Sequence, residues 1–272
     1  MSARLLWPLA AVLTLAGCAP LNGRAPAAAA EPVRVYAAGS LREAMTAIAR
    51  EHEQRTGQPV ALSFGASGLL RERIEKGEPA EVFASADTVH PQRLAARGGW
   101  RAPVVFTRNR LCALTSAQLS ATPDTLLATL LDPAVRVGTS TPQADPSGDY
   151  AWQLFRRADA VRPGAYATLD AKALKLTGGA DSPAAPPGRG TYAWLMDEGK
   201  ADLFLTYCTN AVAAQRELPR LKVVALPPAL QVGADYGLGL RQDASPAARR
   251  FADSLREAPA QRVLQGLGFG AP

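Results

Sequence analysis

Residues 33–57 read VRVYAAGSLREAMTAIAREHEQRTG, and this stretch contains a complete strand, turn and helix. The apolar start, 33–37, predicts a buried strand. Apolar side chains at helical spacing predict a helix over 41–55, and Gly57 is a typical helix stop. A strand that passes directly into a helix is the unit from which α/β domains are built.

Ser40 lies where the predicted strand ends and the helix begins, and Glu43 follows three residues later. This spacing predicts a capping box, in which the serine hydroxyl bonds to the first turn of the helix. A helix start also offers free N–H groups and a positive dipole, which together can bind an anion. Because ligands of α/β sheets bind at the carboxyl ends of the strands, the sequence leaves both roles open for Ser40.

Strand-like and helix-like segments alternate along the rest of the chain, which predicts an α/β fold with a mostly parallel sheet. The further predicted strands are 60–64, 81–85, 104–106, 111–114, 135–139, 201–207, 221–226 and 235–240. The further predicted helices are 69–75, 90–97, 147–158, 191–198, 209–216, 246–256 and 260–266.

The alternation runs in two blocks, which predicts two α/β lobes with a ligand cleft between them. We expect lobe I to comprise residues 32–112 and 228–272, and lobe II to comprise 113–227. Strands near 109–114 and 225–237 are expected to cross between the lobes. Such a protein is typically a solute receptor that closes by a hinge motion.

The first 18 residues resemble an export signal. A short positive start at Arg4 and an apolar stretch precede Leu15-Ala16-Gly17-Cys18, which is similar to the lipobox of bacterial lipoproteins. We therefore expect a lipoprotein signal peptide over 1–18 with Cys18 as the lipidation site; the alternative is an ordinary signal peptide. Residues 19–31 are rich in Ala and Pro and are predicted to be a tether.

The composition favours a binding protein with an anionic ligand. The net charge is +6, without a run of like charges or a basic cluster interleaved with aromatics, which argues against a nucleic-acid partner. The chain has two histidines, His52 and His90, and both lie on polar helix-like stretches, so we expect them at the surface. This histidine set does not support hydrolysis.

Two further turns repeat the arrangement at Ser40. Ser67 begins a predicted helix after the strand that ends in FGASG, and Ser147 lies in the turn Asp145-Pro146-Ser147-Gly148. Asp87 is expected to cap the next helix and not to bind an anion, while Tyr150 and Tyr236 receive no role. Polar groups that converge from two lobes suit a small oxyanion.

The runs AAGSL, at 37–41, and FGASGLLRERIEKGEPAEVFASAD, at 64–87, resemble the molybdate-binding proteins of ABC importers. The resemblance covers about residues 33–270 and is densest over 33–90. It implies a type II periplasmic binding protein fold and a periplasmic receptor that delivers molybdate or tungstate to a permease and its ATPase. The receptor would be a monomer without enzymatic activity, cofactor or bound metal cation.

The resemblance also implies the site. The two ligand serines of the family fall on Ser40 and Ser67, and its tyrosine hydroxyl falls on Tyr207. Backbone donors are implied at Ser147, in the Pro-Ser-Gly turn, and at Gly188, which precedes Arg189-Gly190. Hydroxyl and N–H groups donate hydrogen bonds, so a site built from them and lacking a carboxylate favours a fully ionised anion.

This sequence departs from the family pattern in the second lobe. The Gly/Pro-rich loop 177–190 is longer, Cys208 follows Tyr207 in place of glycine, Asn210 replaces an aspartate, and Ser147 replaces an alanine. These changes leave a different oxyanion or a small organic anion as an alternative ligand. Arg189 is expected either to strengthen the field at the rim of the cleft or to be a solvated loop residue.

Cys112 and Cys208 remain after export. An oxidising compartment favours a disulfide between them, and two buried free thiols are the alternative. An exported thiol-redox protein is the competing function, and it requires a free thiol of low pKa. An effector domain of a transcription regulator is disfavoured by the export signal.

Overall fold

The computed structural model describes residues 30–272, of which Glu31–Pro272 form one compact unit. The predicted signal peptide 1–18, its Cys18 and most of the tether 19–31 lie outside the described residues. None of the helices in the described part combines the length and apolar character needed to cross a membrane.

Strands and helices alternate through the described range, as the sequence predicts. The strands are β1 (Val33–Ala38), β2 (Val60–Gly65), β3 (Val82–Ser85), β4 (Val104–Thr115), β5 (Val137–Ser140), β6 (Leu174–Thr177), β7 (Leu203–Tyr207), β8 (Lys222–Ala225) and β9 (Gly233–Leu240). The helices are α1 (Arg42–Thr56), α2 (Ser67–Glu75), α3 (Val89–Arg97), α4 (Leu126–Leu131), α5 (Pro146–Val161), α6 (Ala165–Lys172), α7 (Thr191–Asp197), α8 (Cys208–Glu217), α9 (Pro246–Ser254) and α10 (Ala258–Gly266).

One mixed sheet connects the strands in the order β2-β1-β3-β9-β4-β7-β5-β6, and β8 also pairs with β4. The pairs β1–β2, β1–β3, β5–β6 and β5–β7 are parallel, and β9 and β4 run antiparallel to their neighbours. We call the half that contains β1, β2, β3 and β9 the first lobe, and the half that contains β5, β6, β7 and β8 the second lobe.

Strand β4 joins the two lobes. Its first part pairs with β9, with Arg110 opposite Gly233, and its second part pairs with β7 and β8, with Cys112 opposite Thr206 and Ala225. The prediction of two separate strands here is wrong. The polar run 107–110 breaks the apolar pattern, but the backbone continues its ladder with β9 through a register shift.

The second lobe contains short elements that the sequence does not predict. These are α4, α6 and β6, which have eight residues or fewer each. Each buries little: α6 contributes Ala165 and Leu169, and the residues of β6 are partly exposed or exposed. A segment with one or two buried residues has no detectable periodicity, so packing against its neighbours decides its structure.

Both histidines are buried, so the prediction that they lie at the surface is wrong. His52 is 5% exposed, and its ring packs edge-on against Phe251 of α9 with centroids 5.0 Å apart. His90 is 3% exposed, and its amide donates to Asp87 Oδ1 at 3.1 Å, which confirms Asp87 as a helix cap. Burial lowers the pKa of both imidazoles.

The stability of the protein should therefore depend on pH through His52. Burial, together with the charges of Arg55 and Arg250, lowers its pKa in the folded state, whereas the unfolded chain binds the proton near about pH 6.5. The unfolded state thus binds more protons below that pH, and the free energy of unfolding falls as the pH drops. We expect His52→Phe to reduce this slope in urea titrations between about pH 5.5 and 7.5. An unchanged slope in the variant would contradict the prediction.

A disulfide joins Cys112 of β4 to Cys208 at the start of α8, with Cα atoms 4.8 Å apart. The two cysteines are separated by 96 positions in the sequence. Both are buried, at 5% and 9% exposure. The bond ties the helix that follows Tyr207 to the strand that connects the lobes.

Removing this disulfide should destabilise the protein without creating a redox activity. A cross-link that closes so long a loop restricts the unfolded chain, and its loss typically lowers the free energy of unfolding by about 2–4 kcal/mol. We expect this loss in denaturant titrations of the Cys112→Ala/Cys208→Ala variant. Thiol labelling of the untreated native protein should find neither cysteine; labelling of Cys208 would revive the thiol-redox hypothesis.

Candidate functional site

Ser40 and Ser67 lie side by side because β1 and β2 end together. These strands pair in parallel with Ala38 opposite Gly65, and each serine follows its paired residue by two positions. The register therefore brings the two serine turns, which are 27 residues apart in sequence, to the same edge of the sheet. Both serines line a cleft of about 1150 Å³.

Ser40 does not cap a helix, so the predicted capping box is wrong. A short 3₁₀ turn, Gly39–Leu41, precedes α1 and draws Ser40 into the helical path, where its side chain does not reach the amides of the first turn. Its Oγ lies 2.9 Å from the hydroxyl of Tyr236. Glu43 instead pairs with Arg216 at 2.8 Å. The Ser40 hydroxyl is thus directed to the cleft side of the sheet.

Ser67 and Tyr207 meet at one residue, Ala86. The Ser67 Oγ, fully buried at the first position of α2, accepts the Ala86 N–H at 3.1 Å. The Tyr207 hydroxyl, from the end of β7, donates to the Ala86 carbonyl at 3.3 Å. All three residues line the same cleft as Ser40. The structure therefore brings together the three hydroxyl groups that the sequence singles out.

Tyr207 belongs to an aromatic cluster below the cleft. Its ring centroid is 5.5 Å from that of Tyr236 and 6.2 Å from that of Tyr150. Burial raises the pKa of all three phenols, so their hydroxyls stay protonated at neutral pH and remain hydrogen-bond donors. The contact between Tyr236 and Ser40 could not be predicted from the sequence, because Tyr236 lies on a strand that is far from Ser40 in the chain.

Ser147 lies behind the cleft wall. It is fully buried near the start of α5, and it is absent from the residues that line the cleft. Its N–H donates to Asp145 Oδ1 at 3.0 Å, and within residues 30–272 its hydroxyl has no hydrogen-bond partner. The amide that the family resemblance directs at the ligand is thus bound within the protein in this structure.

Asp145 lies on the cleft wall, and the expectation that no carboxylate contacts the anion stays a prediction. Besides the Ser147 amide, it accepts a hydrogen bond from the Ser140 hydroxyl at 2.6 Å. Burial raises the pKa of this carboxyl. The sequence signal was present in the turn Asp-Pro-Ser-Gly, where aspartate is a typical N-cap, but nothing in it shows that the cap also faces the cleft.

Gly188 and Arg189 lie at the rim, and both line the cleft. Gly188 has φ +80°, a conformation that favours glycine. The Arg189 guanidinium bonds to Glu217 Oε1 at 2.6 Å and to Asp197 Oδ2 at 3.0 Å. Two carboxylates thus balance the charge of Arg189. This residue therefore holds the long loop 177–190 in place and is not a free cation at the rim of the cleft.

Direct contacts cross the cleft and hold the lobes together. The Gly68 N–H donates to the Ala144 carbonyl at 2.8 Å, in addition to the bond between Tyr207 and Ala86. A Cβ on Gly68 would lie 2.4 Å from the Gln143 oxygen, so only glycine permits this approach. These contacts hold the two lobes against each other at this side of the cleft.

Comparison with known proteins shows the family to which this chain belongs. A family model for bacterial extracellular solute-binding proteins matches residues 33–270. The chain is 38% identical over 239 residues to the uncharacterized protein PM1146 of Pasteurella multocida, covering 87% of this chain and 98% of that protein. It is 28% identical over 249 residues to the molybdate-binding protein ModA of Escherichia coli, covering 87% and 88% of the two chains.

A solved structure confirms the predicted fold. The periplasmic molybdate-binding protein of Azotobacter vinelandii superimposes with a TM-score of 0.69 at 20% identity, covering 88% of this chain and 99% of that one. This likeness shows the type II periplasmic binding fold, with two α/β lobes around a cleft. The chain therefore belongs to the bacterial extracellular solute-binding proteins.

Proposed function

We propose that this protein captures molybdate or tungstate in the periplasm and delivers it to an ABC permease. The observation that carries the proposal is the convergence of Ser40, Ser67 and Tyr207 on one cleft between the lobes. A tetrahedral dianion needs several hydrogen-bond donors. Neutral hydroxyls supply them, because they do not repel the anion and do not lose their protons to it. Relatives named for molybdate binding support the choice of anion.

The mechanism that we propose is capture by closure. Ser40 and Ser67 belong to the first lobe, and Tyr207 comes from the second lobe. An anion that bonds to all three bridges the cleft, with the Tyr207 hydroxyl turning from the Ala86 carbonyl to the anion. Such a ligand stabilises the closed state by its difference in affinity for the closed and open states. Gly188 and the loop 177–190 lie over the entrance, and we propose that they shield the bound anion from water.

A different oxyanion or a small organic anion is the second candidate. The cleft volume of about 1150 Å³ exceeds the need of one tetrahedral ion, and Asp145 adds an acceptor to the wall. By contrast, the thiol-redox hypothesis loses support, because Cys112 and Cys208 form a buried disulfide.

Isothermal titration of the purified protein with molybdate, tungstate, sulfate and phosphate tests the proposal. Tight one-to-one binding of molybdate and tungstate, with weak or no binding of the other two, is the expected result. A preference for phosphate or for a phosphorylated organic acid would assign the second candidate. Absence of binding to every anion would overturn the oxyanion function.

We further propose that the protein acts as a monomer anchored to the membrane by a lipid on Cys18. The anchor would keep the receptor near the permease and its ATPase. Metabolic labelling with a radioactive fatty acid tests this, because a Cys18→Ser variant should lose the label and appear in the soluble fraction. Equal labelling of both forms would contradict the anchor.

A further inference from the structure

The carboxylate of Asp145 is held in place on the wall of the anion cleft. Oδ1 accepts the Ser147 N–H at 3.0 Å, and Oδ2 accepts the Ser140 hydroxyl at 2.6 Å. Gly178, which also lines the cleft, lies against it: an added Cβ there would be 2.6 Å from Asp145 Oδ2 and 2.4 Å from Ser140 Oγ. Both oxygens are thus fixed by donors and backbone, so the group cannot easily swing out of the cleft.

The turn that contains Asp145 lies against the turn that contains Ser67. Ala144, which precedes Asp145, accepts the N–H of Gly68, which is the residue after Ser67. Within residues 30–272, Asp145 forms no ion pair with a Lys, Arg or His. Its charge therefore remains without a cationic partner at the place where a second negative charge must bind.

The electrostatic surroundings of Asp145 are acidic and phenolic. Burial is the main cause that raises the pKa of Tyr207 of β7, Tyr236 of β9 and Tyr192 of α7. The negative charge of Asp145 raises these pKa values further. Asp149, on the same helix, and Asp87, at the end of β3, in turn raise the pKa of Asp145. Both carboxylates disfavour a further negative charge at this position, and a bound dianion would add to their effect.

We propose that Asp145 makes oxyanion capture conditional on one proton. A ligand that carries a hydrogen, such as hydrogen phosphate, donates it to the Asp145 carboxylate. A ligand without one, such as molybdate or tungstate, binds only when Asp145 takes a proton from solvent and donates it to the anion. In both cases one hydrogen lies between the carboxyl oxygen and the anion oxygen, so the repulsion between two acceptors is removed. This inference rests on the proposed oxyanion function.

The proposal predicts a proton balance that calorimetry can measure. Titration of the wild type with molybdate, in buffers that differ in ionisation enthalpy, should show a proton uptake that rises toward one as the pH is raised through the range in which Asp145 ionises in the free protein. The dissociation constant should rise about tenfold for each pH unit wherever Asp145 is ionised in the free protein. Hydrogen phosphate, if it binds, should take up no proton from the buffer.

The Asp145→Asn variant separates this role from a structural one. The amide oxygen still accepts the Ser147 N–H, and the amide nitrogen donates where the proton was needed. We therefore expect molybdate binding that releases or takes up no proton and is independent of pH between about 6 and 8. The matched control is Asp149→Asn, four positions later on α5, whose carboxylate accepts the Gln143 N–H and does not line the cleft. This control should keep the proton uptake, and its pH dependence should move to lower pH because Asp149 no longer raises the pKa of Asp145.

A second variant keeps the test decisive if Asp145→Asn misfolds. Ser140→Ala removes a donor that stabilises the ionised carboxylate. It should move the pH dependence of molybdate affinity to higher pH, with the carboxyl itself retained. Oxyanion binding by the wild type without proton uptake and without pH dependence would overturn the proposal and leave the proposed function intact. Failure of the wild type to bind any oxyanion at any pH would overturn both.

Discussion

The Ser40→Ala/Ser67→Ala variant is expected to lose oxyanion binding almost completely. A hydrogen bond to a charged group contributes about 1.5–3 kcal/mol, so two of them account for roughly a hundredfold to ten-thousandfold in affinity. The two hydroxyls lie next to the ends of paired strands and line one cleft, so both can donate to the same anion. Isothermal titration with the anion that binds the wild type most tightly measures the effect.

This variant needs a control for stability, because Ser67 also accepts the buried Ala86 N–H. Leaving that amide unpaired lowers the free energy of unfolding by about 1–3 kcal/mol. Ser85→Ala is the matched control: Ser85 is fully buried on the neighbouring strand, it bonds to Asp87 at 2.8 Å, and it is outside the cleft. It should lower stability and leave the affinity unchanged. Wild-type affinity in the double variant would refute the assignment of the site.

The Gly68→Ala variant is expected to bind the anion more weakly by preventing closure. The new Cβ would lie 2.4 Å from the Gln143 carbonyl oxygen and 2.7 Å from the Ala144 carbonyl oxygen, which belong to the second lobe. Backbone atoms at these distances must move apart, and overpacking of this kind typically costs about 1–3 kcal/mol. The affinity should therefore fall by about 5- to 150-fold.

Stability and closure can be separated at this position. Gly68 is the second residue of α2, where alanine favours the helix, so the free energy of unfolding should not fall. Small-angle scattering should show the wild type compact with ligand and the variant extended with or without it. Gly266→Ala, at the end of α10 with open space around it, is the control that should close normally. A Gly68→Ala protein that binds like the wild type would show that the lobes do not need this contact.

Much of the fold could be predicted from local patterns. The helix stop at Gly57, which has φ +69° and donates to the Glu53 carbonyl at 2.8 Å, follows from glycine alone. The alternation of strands and helices identified the α/β class. His52 was misplaced because its neighbours in sequence, Glu51 and Glu53, are polar, whereas Phe251, which packs against its ring, lies some 200 positions away.

The candidate site likewise contains residues whose place could be predicted from the sequence and residues whose place could not. Ser40 and Ser67 follow strand ends, so their place at the carboxyl ends of β1 and β2 could be predicted, whereas Tyr207 was implied by the family resemblance. Asp145 and Tyr236 could not be found by this rule. Asp145 caps a helix, which is a local role, and only the tertiary structure places that cap on the wall of the cleft.

By itself, the sequence determined which segments form strands and helices and where the serine turns follow them. These properties depend on side chains within a few residues of each other, such as the apolar spacing of α1 and the glycine that ends it. The tertiary structure alone decided that Ser40 bonds to Tyr236, that Ser67 and Tyr207 share Ala86, and that Asp145 lies on the cleft wall. Each of these contacts joins residues from different strands or lobes, and their distances are set by strand register and lobe closure, which no local pattern encodes.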